Sequence, residues 1–134
     1  MVAAQLVERD IKDGETLLRR LDGDGFPVSA ALWFYYSEYE KWSLIIASAL
    51  VGTQGPIEAY KRLLKSLKRI RKHDFCLDSS RIELVKENDR IAKALRHVIQ
   101  TGRGISGIRY TRNTINGFFV EDAYIYRAHR EQAP

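Results

Sequence analysis

Residues 29–48 read SAALWFYYSEYEKWSLIIAS, and the fold turns on how this stretch divides. Its ends, SAALWFYY (29–36) and KWSLIIAS (41–48), are dense in aromatic and aliphatic side chains, while Glu38-Tyr39-Glu40 between them is polar. Two such runs about a short polar link predict a β-hairpin. Large apolar groups stand at consecutive positions in both, Trp33-Phe34 in the first and Leu44-Ile45-Ile46 in the second. Consecutive apolar residues point to opposite faces of a strand, so both faces need cover. Such a hairpin belongs in the middle of a sheet.

On its N-terminal side, Val7, Ile11, Leu18 and Leu21 recur at helical spacing with Leu17 beside them, and Asp22-Gly23-Asp24-Gly25 ends the segment in a turn. Gly14 lies inside this helix and weakens it by up to ~1 kcal/mol relative to Ala, so packing must hold it. On the C-terminal side, Gly55-Pro56 opens a helix running to about His73, with proline at the first position, where its missing N–H costs nothing. Ile57, Tyr60, Leu63, Leu64, Leu67 and Ile70 form its apolar stripe.

RIELV (81–85) reads as a short strand. Asn88 or Asp89 then caps a third helix that turns Ile91, Leu95, Val98 and Ile99 inward and stops at Gly102. ISGIRYTR (105–112), the Asn116-Gly117 turn and FFVEDAYIYR (118–127) read as a second hairpin. From Ala128 to Pro134 the tail is polar and expected to fray.

The order is α-β-β-α-β-α-β-β. It predicts one α+β domain over residues 1–134, with a single layer of about five mostly antiparallel strands and three helices. At least one strand edge then needs cover or a partner, which opens a route to a homo-oligomer and a further alternative function, that of an oligomerising subunit of a larger bacterial complex. The pattern ALWFYY, KWSLIIAS, GPIEAY and EDAYIYR resembles small single-domain bacterial proteins. That resemblance implies a compact α+β fold and no particular activity.

Composition narrows the class further. The chain has 134 residues, 45% hydrophobic and 29% charged, in the range of globular proteins. Its longest apolar run, WSLIIASALV (42–51), is far shorter than the ~20 residues that span a bilayer, so no membrane span is expected. MVAAQLVERDIK has no basic leader region and becomes charged too early for a signal peptide. The single cysteine, Cys76, excludes an internal disulfide, and a cytoplasmic location is expected.

The positive charge is local. The chain has 22 Lys+Arg against 17 Asp+Glu, yet without the bases of 61–72 the balance is 15 against 17. KRLLKSLKRIRK (61–72) contains no acidic residue at all. Lys61, Lys65, Lys68 and Lys72 step by three or four residues opposite the apolar stripe, with Arg62 and Arg69 at its flanks. An ordinary solvated helix face interleaves Glu with Lys, because i,i+4 pairs stabilise it. This one does not. Lys61 and Arg62 also lie too early to be neutralising the helix C-terminus. The expected partner is an acidic macromolecule, nucleic acid ahead of acidic protein, and the expected function is that of a non-catalytic binding or accessory module.

Other motifs carry less. GRGISG (102–107) matches G-x-G-x-x-G but follows a helix and leads into a strand, the reverse of a dinucleotide site. It reads as a helix stop and a turn in which Arg103 can meet a phosphate. The second hairpin mixes Arg109, Tyr110, Arg112, Tyr124 and Arg127, with Asn113 and Tyr126 beside them. These residue types serve metal-free ribonucleases and single-strand binders, so with Arg103 they form a secondary candidate surface. A small phosphodiester-cleaving enzyme is therefore the alternative reading. Glu38, Glu40, Glu83, Glu121 and Asp122 lack the acidic-x-lysine spacing of metal-dependent nucleases, so no catalytic residue, metal site or cofactor is expected. His97 reads as a partly buried structural imidazole, His73 as a helix-end cation, and Cys76 as a small core residue.

Overall fold

The computed structural model describes residues 5–71 and 73–129. The elements follow in the order α1 (Glu8–Gly23), β1 (Ala30–Tyr36), β2 (Lys41–Ser48), α2 (Ala49–Gln54), α3 (Pro56–Lys68), β3 (Ile82–Lys86), α4 (Arg90–Val98), β4 (Ile108–Ile115) and β5 (Phe118–Ala128), with a 3-10 turn at Ser79–Arg81. This is the expected α+β order with one short helix added. Helix α2 continues the apolar run of β2. Its start is marked by the Ser48 hydroxyl, which accepts from the Leu50 N–H, a cap hidden among hydrophobic neighbours.

Residues 29–48 do form a central hairpin, paired antiparallel from Ala30↔Ala47 to Tyr36↔Lys41. The single sheet runs β3-β2-β1-β5-β4, and only β2–β3 is parallel among the described strands. That pairing arises because α2 and α3 carry the chain from the end of β2 back to the start of β3, as a crossover must. Both faces of the hairpin are covered. On one face Trp33, Tyr35, Trp42, Leu44 and Ile46 pack against Leu17, Leu18 and Leu21 of α1 and Leu63 of α3. On the other, Leu32, Phe34 and Ile45 pack with Ile125, Val120 and Leu95 of α4.

A buried polar knot ties α1 to the sheet. Trp33 Nε1 donates to the Tyr126 hydroxyl at 3.0 Å and to the Asp10 carbonyl at 3.2 Å, and the Tyr126 hydroxyl donates to the Ile11 carbonyl at 2.6 Å. Burial raises the pKa of that phenol. Gly14 faces this knot: a Cβ there would collide with the Tyr126 hydroxyl and stand 2.9 Å from Trp33 Nε1. The glycine that weakens the helix is thus what lets the helix approach.

Several boundaries differ from the sequence reading. Helix α3 ends at Lys68 rather than near His73, with Arg69 as its cap residue, and Ile57 at its start is exposed. Helix α4 ends at Val98, before Gly102, leaving Val98 exposed and Ile99 in extended backbone. Its cap is Asp89, whose carboxylate accepts from the Ile91 N–H. Strand β5 continues through buried Ala128, and the His129 N–H donates to the Ser29 carbonyl at 2.7 Å. Ala128, where fraying was expected to begin, thus belongs to the strand, and residues 130–134 lie outside those described.

Candidate functional site

Helix α3 buries Ala59, Leu63 and Ser66 and turns Lys61, Lys65 and Lys68 to solvent. Lys61 stands 3.4 Å from Glu58, a pair exposed on both sides and worth little in water. Lys65 and Lys68 have no ion-pair partner among the described residues. Arg62, on the flank, places its guanidinium 5.8 Å from the centre of the Phe26 ring. Arg69 stands 3.4 Å from Asp24. Lys72 lies outside the described residues.

The site is wider than one helix. Asp24 caps the end of α1 and gathers groups from both helices. Its carboxylate accepts from Arg20 at 2.8 Å and from the Ser66 hydroxyl at 2.7 Å, with Arg69 beyond. The Arg20 hydrogen bond, followed by that of Ser66, holds the Asp24 pKa at about 2. A cleft of about 330 Å³ lies over this junction, lined by Asp24, Phe26, Arg62, Lys65, Ser66 and Arg69. An adjoining cleft of about 550 Å³ shares Arg69 and adds Arg19, Arg20 and Arg71. Sequence reasoning missed Arg19 and Arg20 because Glu15, Asp22 and Asp24 balance them locally. Only the docking of α1 beside α3 brings them to the basic face.

The secondary surface divides. Arg109 and Arg112 share a cleft of about 810 Å³ with Glu40, Glu121, Asp122 and Tyr35, over Trp42. Arg109 donates to both Asp122 oxygens at 2.7 Å and lies 5.6 Å from the Trp42 ring centre. Tyr124 packs edge-on against Tyr126 at 5.3 Å. Tyr110 packs with the cluster on the opposite face of the sheet.

Arg127 corrects the expectation of a surface role. It is 3% exposed, donates to Asp22 at 2.8 and 3.0 Å, and also donates to the Val28 and Gly104 carbonyls. It is a structural tie between α1 and β5. Arg103 is exposed nearby, with Nε 3.4 Å from His129 Nε2.

The carboxylates do not all meet. Glu83, on the edge strand β3, accepts from the Tyr36 hydroxyl at 2.7 Å, whereas Glu121 and Asp122 line the cleft beside β4. Burial, and then the Glu83 hydrogen bond, raises the pKa of the Tyr36 phenol. Among the described residues no group of three or more His, Cys, Asp or Glu is arranged to hold a metal ion. His97 is exposed rather than partly buried, because α4 ends at Val98 and turns this position outward. Cys76 is also exposed, its Sγ 3.8 Å from Arg9 Nη1, although its neighbour Leu77 enters the core.

Strand β4 forms one edge of the sheet, but Arg112 at φ +48° interrupts its ladder between Thr111↔Asp122 and Asn113↔Val120. Among the described residues no helix is long and apolar enough to cross a membrane. Compared with protein-family profiles, with curated proteins and with solved structures, the chain matches none.

Proposed function

We propose that this protein is a non-catalytic module that binds nucleic acid through the basic surface of α3 and the end of α1, reading backbone charge rather than base sequence. The observation that supports this reading is the cleft between Arg62, Lys65 and Arg69 beside the exposed Lys65 and Lys68, unpaired among the described residues, with Arg19 and Arg20 at its flank held by Glu15 and Asp24. Helix α3 is about 20 Å long at 1.5 Å per residue. A duplex carries one phosphate per ~1.7 Å of axis, so every cation along that length finds a phosphate. An acidic protein would need carboxylates matched to the cations one by one. A cytoplasmic setting belongs to this proposal. Pairing of copies through the β4 edge would add a second basic face.

The 810 Å³ cleft favours cleavage less. Its Arg109 is already neutralised by Asp122, and Glu40 and Glu121 repel a phosphate.

Fluorescence anisotropy with labelled single-stranded RNA, single-stranded DNA and duplex DNA tests the proposal. Four to six phosphate contacts give a slope of log K against log salt of about −3 to −5. Replacing Lys61, Lys65 and Lys68 by Gln preserves helix propensity and leaves the core intact. This triple variant should lose about 2–3 units of slope whatever the base sequence. Absence of binding at low salt, or an unchanged slope in the variant, rules the reading out. Tighter binding to poly-glutamate than to any nucleic acid transfers the surface to an acidic protein.

A further inference from the structure

Every Phe, Tyr and Trp of the chain lies among the described residues, and of these only Tyr39 and Phe119 are exposed. Tyr39 sits in the turn between β1 and β2. Phe119 pairs with Thr114 near the β4–β5 turn, and the register from Ala30↔Ala128 to Phe34↔Ala123 carries it toward the same end of the sheet. The basic junction stands at the other end, where Asp24 leads into β1. There Phe26 is 2% exposed, with the Arg62 guanidinium over its ring. On and after α3, Tyr60 and Phe75 pack against the core. No exposed ring stands on the basic face.

The cations lie on the outside of two packed helices. Lys61, Lys65 and Lys68 line α3, while Arg19, Arg69 and Arg71 gather at the cleft between α1 and the chain leaving α3. Glu58 and Glu15 pair with Lys61 and Arg19, and Arg69 stands near Asp24. Lys65, Lys68 and Arg71 have no ion-pair partner among the described residues. Packed helices lie about 8–10 Å apart, so the two groups form separate rows. Neutral hydrogen-bonding side chains are scarce between them. Ser66 is buried with its hydroxyl donating to Asp24, and Tyr60 is half-buried.

Given the nucleic-acid reading of this face, on which this rests, we propose that its partner is double-stranded DNA, held by the phosphates of both strands. Single-strand binders stack successive bases on aromatic side chains in a basic groove. The face around α3 presents cations on a helix surface and no ring to stack on. A single strand also brings one row of phosphates, spaced by ~3.4 Å along the axis, whereas a duplex brings two rows at twice that density. Two rows of cations match the duplex. Double-stranded RNA is recognised partly through its 2′-hydroxyls, which call for neutral donors and acceptors. Helix α3 exposes none, its solvent-facing side chains being Pro56, Ile57, Glu58, Lys61, Lys65 and Lys68. DNA phosphates need only the cations.

Salt titrations of the full chain test this, with a DNA duplex of about 20 base pairs, its two separated strands and the RNA duplex of the same sequence as probes. For about five contacts the duplex slope should be steeper by about one unit, since each contact contributes ~0.9 against ~0.7 for a single strand. With the two lines meeting near ~1 M salt, the duplex binds about twentyfold tighter than either strand at about 50 mM. The RNA duplex should bind no tighter than the DNA duplex. The double variant Tyr39→Ala, Phe119→Ala should keep the wild-type Kd for the DNA duplex, because both rings lie at the far end of the sheet. Three results overturn the inference: strands bound as tightly as the duplex, an RNA duplex bound more tightly, or duplex affinity lost in the folded double variant. With any of them, a slope still lost on replacing Lys61, Lys65 and Lys68 by Gln leaves the nucleic-acid reading standing. Absence of binding to every probe removes both.

Discussion

Gly14 sets two rules against each other. Helix propensity alone says that Gly14→Ala should stabilise α1 by up to ~1 kcal/mol. The knot of Trp33, Tyr126 and the Ile11 carbonyl says the reverse, because the new methyl group would enter space those groups occupy. Overpacking a tight site costs ~1–3 kcal/mol, so the packing effect should win. Gly14→Ala should therefore lower the urea midpoint, and a raised midpoint would show that α1 can shift without loss. The sequence made Gly14 visible as an anomaly. Its reason was out of sight, since Tyr126 joins the knot from the far end of the chain.

The hairpin of β1 and β2 makes an element-scale prediction through its tryptophans. Trp33 is 0% exposed and Trp42 is 5% exposed, on strands covered by α1 and α3. Their emission should be blue-shifted and only weakly quenched by iodide, and Trp33→Ala should destabilise by about 3–5 kcal/mol. Emission like that of free indole would place the hairpin at the surface and contradict this sheet order. Helix α3 was equally readable, because an apolar stripe repeating every three or four residues is visible in any helix that docks on a core. Its end was less so. The cations continue past Lys68 through Arg69 and Arg71, and charge pattern does not record where backbone hydrogen bonding stops.

At the scale of the molecule, Asp24 joins α1 to α3 and also organises the basic surface. Its folded pKa of about 2 lies below the ordinary 3.8, so its ion pairs stabilise the native state above about pH 4. That contribution is lost as the pH falls through 3.8 toward 2, when the carboxylate takes a proton and releases Arg20 and Arg69. Chemical-denaturation midpoints measured from pH 5 down to pH 2 should fall less steeply for Asp24→Asn than for the wild type. Parallel curves would mean that the α1–α3 junction does not depend on this charge.

What the sequence alone determined was the kind and order of the elements apart from the short α2, the central place of residues 29–48 and the concentration of cations on and just after α3. Each follows from patterns within a few residues: alternation, helical spacing, capping and local charge. The β3-β2-β1-β5-β4 order, with its one parallel pairing, came only from the tertiary structure. So did the burial of Arg127 against Asp22, partners 105 residues apart, and the arrival of Arg19 and Arg20 beside α3. That Glu40, Arg112, Glu121 and Tyr35 line one cleft was likewise decided there. Contacts between distant segments leave no periodic signal at either end. They exist only once burial of apolar surface has chosen which faces pack together.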